Sequence, residues 1–148
     1  MTNLPPAGTY VLELVNSARQ RLEIGRLGDL GLAPGIYLYV GSAKRHLPHR
    51  IARHRKATKA LRWHVDYVTA HARVTRVAVW DCAEVGECEL AEAVRSLPGA
   101  QVVMRGFGSS DCGCEAHFVR LEGEGDWAAG LSAKFGPPLR DVQYGRRG

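Results

Sequence analysis

The sequence predicts an α+β fold, or a small mixed sheet, built as one domain over residues 1–148. Three observations support this prediction: strand-like segments come first, helical patterns then alternate with further strands, and no linker or internal repeat divides the chain. A chain of 148 residues is long enough to bury a core without disulfides or metals. Its apolar content of 45% and charged content of 24% are ordinary for a globular domain.

The first part of the chain is predicted to consist mainly of strands. Residues 8–15 (GTYVLELV) and 21–25 (RLEIG) read as two short strands, and the glycine-rich residues 25–35 read as turns. Residues 36–41 (IYLYVG) form the strongest strand pattern. Because side chains alternate along a strand, its aliphatic residues fall on one face and its two tyrosines on the other.

Helical and strand patterns then alternate. Leu47, Ile51 and His54 share one side of a first helix, which has a proline near its start. Leu61 and two valines repeat similarly in a second helix. We further expect a strand over 74–80, a helix over 86–97, a loop over 107–116, a strand over 117–123, and a short helix before a loose basic tail from about residue 136.

Positive charge is concentrated in one segment. The net charge is +5, yet residues 44–62 contain eight lysines and arginines and no acid. Such a segment is typical of proteins that bind a polyanion, most simply DNA or another nucleic acid, although a solvated basic helix face has the same composition. No apolar run approaches the roughly 18 residues that span a bilayer, and the first residues lack a secretory pattern. We therefore expect a cytoplasmic protein without a membrane partner.

Several segments resemble the GIY-YIG endonuclease superfamily. Residues 39–54 (YVGSAKRHLPHRIARH) resemble its second motif, with Tyr-x-Gly ending a strand before a basic loop and helix. The chain is most similar to a branch described as a domain of unknown function, sometimes fused to endonuclease III-type glycosylases; five strings carry this resemblance in order, GIYLYVGSA, RIARH, RWHVDY, ECELA and FGSSDCGC. The resemblance implies a small, mainly antiparallel sheet flanked by helices, and metal-dependent hydrolysis of DNA phosphodiesters in repair or recombination.

The resemblance also implies a pair of catalytic tyrosines on neighbouring strands. We assign them to Tyr10, in GTY, and Tyr39. The literal GIY triplet contains Tyr37, but this residue shares a strand with Tyr39 and is held in reserve. Tyr10 alternates in step with Leu12 and Leu14, so a purely structural place in the core is the alternative reading.

Arg50 matches the superfamily's catalytic arginine. A guanidinium always carries its charge and binds two phosphate oxygens at once, which suits a transition state that accumulates negative charge. Its basic neighbours are expected to bind flanking phosphates, which positions a duplex without reading its sequence. These predicted nucleic-acid-binding residues are Lys44, Arg45, Arg53, His54 and Lys56.

Glu87 is the fourth predicted catalytic residue and the predicted metal ligand. Among the glutamates of ECELAEAV (87–94), it alone falls within the apolar arc of the helix, and it matches the superfamily's Glu-x-x-Leu spacing. A carboxylate there must meet a metal, a cation or the helix N-terminus. One carboxylate with phosphate oxygens and water suits Mg²⁺ or Mn²⁺. The alternative is a first-turn glutamate favoured by the helix dipole.

Two features bear on whether the site cleaves. A free tyrosine has a pKa near 10 and is a poor base at neutral pH, so we expect the basic segment, with Lys44 nearest, to lower that pKa. Many superfamily members also carry an asparagine after the glutamate helix, whereas both asparagines of this chain precede it. Candidates to replace it are Ser109, Ser110 and Asp111. A nucleic-acid-binding module that does not cleave is therefore the alternative function.

A cysteine-rich loop suggests a third possibility. Cys112, Cys114 and His117 offer three zinc ligands, with Cys82 or Cys88 as a fourth. Structural zinc usually has two or more residues between paired cysteines, so the sequence argues against zinc here and against a zinc-stabilised interaction domain. We expect the thiols and the adjacent aspartate instead to shape a loop.

Overall fold

In the computed structural model, residues 3–123 and 125–145 are described, and strands and helices alternate along them. The strands are β1 (Gly8–Asn16), β2 (Gln20–Glu23), β3 (Asp29–Leu32), β4 (Gly35–Ala43), β5 (Arg73–Trp80), β6 (Ala100–Val102), β7 (Phe118–Leu121) and β8 (Arg140–Gln143). The helices are α1 (Leu47–His54), α2 (His64–Thr69), α3 (Glu87–Arg95) and α4 (Trp127–Phe135), with a short 3-10 helix at Gly25–Leu27.

Six strands form one sheet in the order β6-β7-β4-β1-β5-β8, and every neighbouring pair is antiparallel. β2 and β3 form a separate antiparallel hairpin. The predicted α+β class, with a mainly antiparallel sheet flanked by helices, is therefore confirmed. β1 lies between β4 and β5 and is buried along most of its length, as a strand covered on both faces must be.

Apolar side chains cover both faces of the sheet. One face carries the tyrosines of β4 together with residues of α1, α2 and the β2–β3 hairpin, including Leu12, Tyr37, Tyr39, Leu47, Ile51, Val65 and Leu32. The other face packs against α3 and α4 and includes Val11, Leu38, Val40, Leu90, Ala91 and Leu131. The predicted alternation along β4 is thus confirmed, and each of these faces excludes water from apolar surface.

The helices are short and lie on opposite sides of the sheet. α1 begins where the backbone N–H of Leu47 donates to the carbonyl of Pro6, after His46 in the left-handed conformation. α3 begins after Gly86, whose N–H donates to the Glu89 carboxylate. Both helices contact β4. In the described part of the chain, no helix has the length and apolar character required to cross a membrane.

Four segments differ from the prediction. Leu61, predicted to lie on the apolar side of the second helix, precedes α2 and is exposed. Residues 25–35, predicted as turns, include the 3-10 helix and β3, and residues 100–102 form the edge strand β6. The predicted loose tail from about residue 136 contains β8, which pairs with β5. β6 and β8 are strands of three or four residues with little apolar alternation. β3 does alternate, with Leu30 and Leu32 buried, but its four residues lie among glycines that favour turns. Residues 146–148 of the predicted tail lie outside the described residues.

Candidate functional site

A polar cavity of about 170 Å³ lies at the end of the sheet where β1 begins and β4 ends. Tyr10 from β1, Tyr39 from β4, Arg50 from α1 and Glu87 from α3 all line it. The structure therefore brings the four predicted catalytic residues to one place, although two of their helices pack on opposite faces of the sheet. The remaining lining residues are Gly41, Ser42, His54, Trp63, Gly108 and Asp111.

The strand register and a missing side chain place Tyr10. It pairs with Gly41 across the β1–β4 ladder, and a Cβ at Gly41 would lie 2.6 Å from the Tyr10 hydroxyl. Glycine therefore leaves the space that the phenol occupies. The Tyr10 hydroxyl lies 2.9 Å from Nε2 of His54, and both side chains are buried. Tyr10 thus belongs to the core and to the cavity at once.

The two tyrosines of β4 have different surroundings. Tyr39 lies next to Tyr10 on the same face, and its ring meets the edge of Phe107 at 6.4 Å between centroids. Tyr37, held in reserve by the sequence analysis, lies further from the cavity. Its hydroxyl donates to the carbonyl of Ala33 at 2.7 Å, and it does not line the cavity.

Burial controls the protonation of the cavity's aromatic groups. It raises the pKa of Tyr10 and of Tyr39 well above the usual value, against the opposing charge of Arg50. Burial, assisted by the positive charge of Lys59, lowers the pKa of His54 to about 3. Both phenols and the imidazole are therefore neutral at neutral pH. Arg50 of the basic segment acts to lower the pKa of both tyrosines, as expected, but burial outweighs it. Lys44 is exposed and is not part of the lining.

The Arg50 guanidinium has two protein contacts and several N–H groups without a partner among the described residues. Its Nη1 donates to the carbonyl of Ser42 at 2.6 Å, and its guanidinium lies over the ring of Trp63, 4.8 Å from the centroid. Among the described residues, Arg50 forms no ion pair. Because a guanidinium has five N–H donors, most of them remain available to an anion.

Glu87 contacts both the cavity and the neighbouring loop. Its Oε1 accepts a hydrogen bond from the Ser42 hydroxyl at 2.5 Å, and its Oε2 lies 2.8 Å from Nδ1 of His117. The second contact is an ion-pair distance without well-aligned hydrogen-bond geometry. Burial acts to raise the pKa of Glu87, but His117, Ser42 and Arg50 together lower it, so the group is ionised. Each carboxylate oxygen keeps a free lone pair, and Asp111 lines the same cavity, so the donor set fits one hard divalent cation.

A family model matches residues 9–135, from β1 to the end of α4, and describes a "Domain of unknown function DUF123". The chain belongs to the DUF123 family. The match includes Tyr10, Tyr39, Arg50 and Glu87, the four predicted catalytic residues. The resemblance to a domain of unknown function is thus confirmed. No curated protein and no solved structure matches the chain.

The basic segment of this DUF123 domain divides into exposed and internal residues. Lys44, Arg45 and Lys56 are exposed beside the cavity. Arg53 instead directs Nη1 and Nη2 to the buried carboxylate of Asp66 at 2.8 and 2.9 Å, and His54 contacts Tyr10. The predicted DNA contacts at Arg53 and His54 are therefore residues with internal partners, which stabilise the cavity wall.

The cysteine and histidine cluster that the sequence suggested, but argued against as a zinc site, lies beside Glu87. Ligand atoms of Cys88, Cys112, Cys114 and His117 all lie within 4.8 Å of one another. The sequence analysis grouped the last three but did not choose between Cys88 and Cys82 as a fourth. The position of Cys88, directly after the predicted metal ligand on α3, was the signal that favoured it. In the DUF123 domain, Cys82 is exposed and outside the cluster.

Proposed function

We propose that this DUF123 domain is a metal-dependent, endonuclease-like enzyme of the GIY-YIG type that hydrolyses DNA phosphodiesters, with repair or recombination as its setting. The shared cavity supports this proposal. Two phenols, a guanidinium and an ionised carboxylate, from four separate elements, line a space of about 170 Å³. A packing role alone requires neither an unpaired guanidinium nor an ionised carboxylate at this position.

Arg50 and the tyrosines bind and orient the phosphate. The free donors of Arg50 pair with two non-bridging oxygens and stabilise the charge that develops during attack. Because Tyr10 and Tyr39 are neutral in the free protein, they act through hydrogen bonds to the phosphate and to the attacking water. The Tyr10 hydroxyl is held in place by its hydrogen bond with Nε2 of neutral His54.

Glu87 is the residue that would hold Mg²⁺ or Mn²⁺. Such an ion, when bound, neutralises phosphate charge and stabilises the leaving oxygen. Ser42 orients the carboxylate from the cavity side, and His117 approaches it from the loop side. Outside the cavity, Lys44, Arg45 and Lys56 place positive charge where the backbone of DNA continues on either side of the bound phosphate.

Nicking of a supercoiled plasmid in Mg²⁺ or Mn²⁺ tests this function. We expect the wild-type chain to nick the plasmid and excess chelator to stop it. Glu87→Gln and Arg50→Ala should each lower the rate by about 100-fold or more, because each removes a charge that acts in the transition state. Glu92→Gln and Arg73→Ala are the matched controls, since both residues are exposed and remote from the cavity lining. Absence of nicking in both metals, or full activity of Glu87→Gln, contradicts the proposal.

A binding module that does not cleave is the second candidate, and one observation favours it. Both oxygens of Glu87 already have protein partners, and both phenols stay protonated, so the cavity is able to hold a phosphate without activating water. The same plasmid experiment separates the two functions. Salt-sensitive binding by a wild-type chain that leaves the plasmid intact supports the binding module.

A further inference from the structure

We propose that Cys88, Cys112, Cys114 and His117 form a structural site for one zinc ion. Their ligand atoms come from two places: Cys88 lies in the first turn of α3, and the other three lie in or directly after the loop that precedes β7. None of these four residues lines the cavity, although Glu87 contacts both places, and the zinc proposal does not depend on nuclease activity.

The distances within the cluster suit one tetrahedral ion. Zinc binds sulfur at about 2.3 Å, which puts two tetrahedral sulfur ligands about 3.8 Å apart and a sulfur and a nitrogen slightly closer. The Sγ of Cys112 lies 3.4 Å from Nε2 of His117, and all four ligand atoms lie within 4.8 Å of one another. Small side-chain movements therefore bring the set to ideal geometry.

The chemistry of the ligand set selects zinc. Three thiolates and one imidazole form one of the common closed structural zinc sites, whereas hard ions such as Mg²⁺ prefer oxygen. The Cys-x-Cys spacing of the loop argued against zinc in the sequence analysis, but the third thiol, Cys88, removes this argument. Cys88 reaches the site from a different element, so the loop does not need to supply two pairs with the usual spacing.

The exposure of the thiols also supports a zinc site. Cysteine without a disulfide is among the most buried residue types. Here Cys88 is exposed, Cys112 and Cys114 are half-buried, and none forms a disulfide. Three partly exposed thiols that meet a buried histidine contribute little to apolar packing. The same arrangement is the one in which these side chains bind a metal ion.

The loop needs such a connection. Residues 103–117 contain neither strand nor helix, and a loop of this length is unusual in a small domain unless something else holds it. Its base is fixed by hydrogen bonds between Gly106 and Glu115 and between His117 and Phe107. Towards its tip, the N–H groups of Ser109 and Cys112 donate within the loop, and the N–H of Gly108 donates to Nδ1 of His64 in α2 at 2.8 Å; none of these bonds reaches α3. Zinc would join this tip to α3.

The contact between His117 and Glu87 fits a metal-bound histidine. Histidines that bind a metal through one ring nitrogen usually present the other to a carboxylate or carbonyl. In His117, Nδ1 lies 2.8 Å from Glu87 Oε2, and Nε2 lies beside the thiol of Cys112. The nitrogen that faces the thiols is therefore the one left for zinc. Glu87 acts here as a positioning residue.

Metal analysis of the full chain tests the site. We expect about one zinc per chain to remain after extensive dialysis, as in other closed structural sites. Serine substitution of Cys88, Cys112 or Cys114 should remove most of it. Cys82→Ser is the matched control and should keep the wild-type zinc content. Two results overturn the proposal. One is protein that contains no zinc and whose four thiols all react with a thiol reagent even when zinc is added. The other is a disulfide between two of the three cluster cysteines.

Cobalt substitution covers the case in which the serine variants do not fold. Apoprotein of the wild-type chain should bind Co²⁺ with the absorption bands of tetrahedral thiolate coordination, and zinc should displace it. Failure of these bands to appear overturns the proposal independently of any variant.

Glu87→Ala should also weaken zinc binding by about 10-fold to 100-fold while Glu92→Ala does not. Unchanged affinity in Glu87→Ala overturns the positioning role of Glu87. Zinc content and cobalt absorption are measured without a nicking assay, so failure of the zinc proposal can be distinguished from failure of the nuclease proposal.

Discussion

Tyr10 depends on two neighbours that take no direct part in the proposed chemistry. Gly41 provides space for the hydroxyl, and His54 provides its hydrogen-bond partner. The second nitrogen of His54, Nδ1, is buried and has no partner among the described residues. A protonated imidazole at this position would be a buried charge close to the positive charges of Lys59 and Arg50, and this makes His54 sensitive to pH.

We expect His54 to make the fold less stable as pH falls. In the folded chain its pKa is lowered to about 3, whereas in the unfolded chain histidine takes up a proton near pH 6.5. Below that pH the unfolded state binds more protons, so the free energy of unfolding falls as pH drops from about 6.5 towards 3. Urea unfolding of the wild type and of His54→Gln at pH 7 and at about pH 4 measures this contribution. The variant should lose less stability; equal losses contradict the prediction.

At the residue scale, the sequence predicted which catalytic candidates line the cavity, but it did not predict the hydrogen-bond partner of each one. Tyr10, Tyr39, Arg50 and Glu87 each belong to a motif string with a defined place in the chain. Their partners depend on side-chain directions across elements, which no string records. Thus Ser42 was not anticipated as the partner of Glu87, and Tyr39 could be placed on its face by alternation alone.

At the scale of secondary-structure elements, polar groups connect α1 and α2 through Asp66 at their junction. The buried carboxylate of Asp66 accepts two hydrogen bonds from Arg53 and two more from the backbone N–H groups of Arg62 and Trp63. Burial acts to raise the pKa of Asp66, but these donors lower it, so the group stays ionised. This junction places Trp63, and through it Arg50, beside the cavity.

We expect Asp66→Ala to lower the free energy of unfolding by about 3–5 kcal/mol, because it leaves a half-buried guanidinium and two backbone donors without their acceptor. Chemical denaturation at neutral pH measures the change. Glu122→Ala is the control, since Glu122 pairs with Arg120 at the exposed surface and should contribute less than about 1 kcal/mol. A loss of under about 1 kcal/mol in Asp66→Ala contradicts a stabilising junction.

Sequence patterns predicted the long elements and missed the short ones for a physical reason. β4 and α1 bury a regular stripe of apolar residues, so periods of two and 3.6 appear in the sequence. β8, with two charged residues, carries little such pattern, and it forms because β5 offers unpaired backbone groups, which is a property of the assembled sheet. In β3 the alternation of Leu30 and Leu32 covers only four residues and lies among glycines, so it is too short to outweigh the turn signal.

Across the whole molecule, exposed basic residues are most concentrated in the segment of the chain that supplies Arg50. Lys44 and Arg45 follow β4, and Lys56 and Arg62 follow α1, whereas the acidic residues of the chain lie elsewhere in the sequence. Long-range attraction of a polyanion would therefore be directed towards Arg50.

We expect DNA binding to weaken steeply with salt. If about five phosphates are neutralised, the slope of log K against log salt is about −4 to −5, because each contact releases condensed counterions. Fluorescence titration of a short duplex at several salt concentrations measures the slope. Lys44→Ala should reduce its magnitude by about 1, and Arg73→Ala, on the exposed side of β5, should not. A flat salt response removes nucleic acid from the proposed partners.

The order of strands in the sheet determines how the chain must fold. β1 cannot be enclosed until β5 arrives, and Tyr39 of β4 pairs with Phe118, so most of the sheet forms only after long segments have closed into loops. Chains dominated by such distant pairings fold in about milliseconds to seconds, far more slowly than helical bundles. During that time an apolar central strand is open to other chains. Recovery from denaturant should therefore decrease as protein concentration rises, and dilute refolding will give the highest yield.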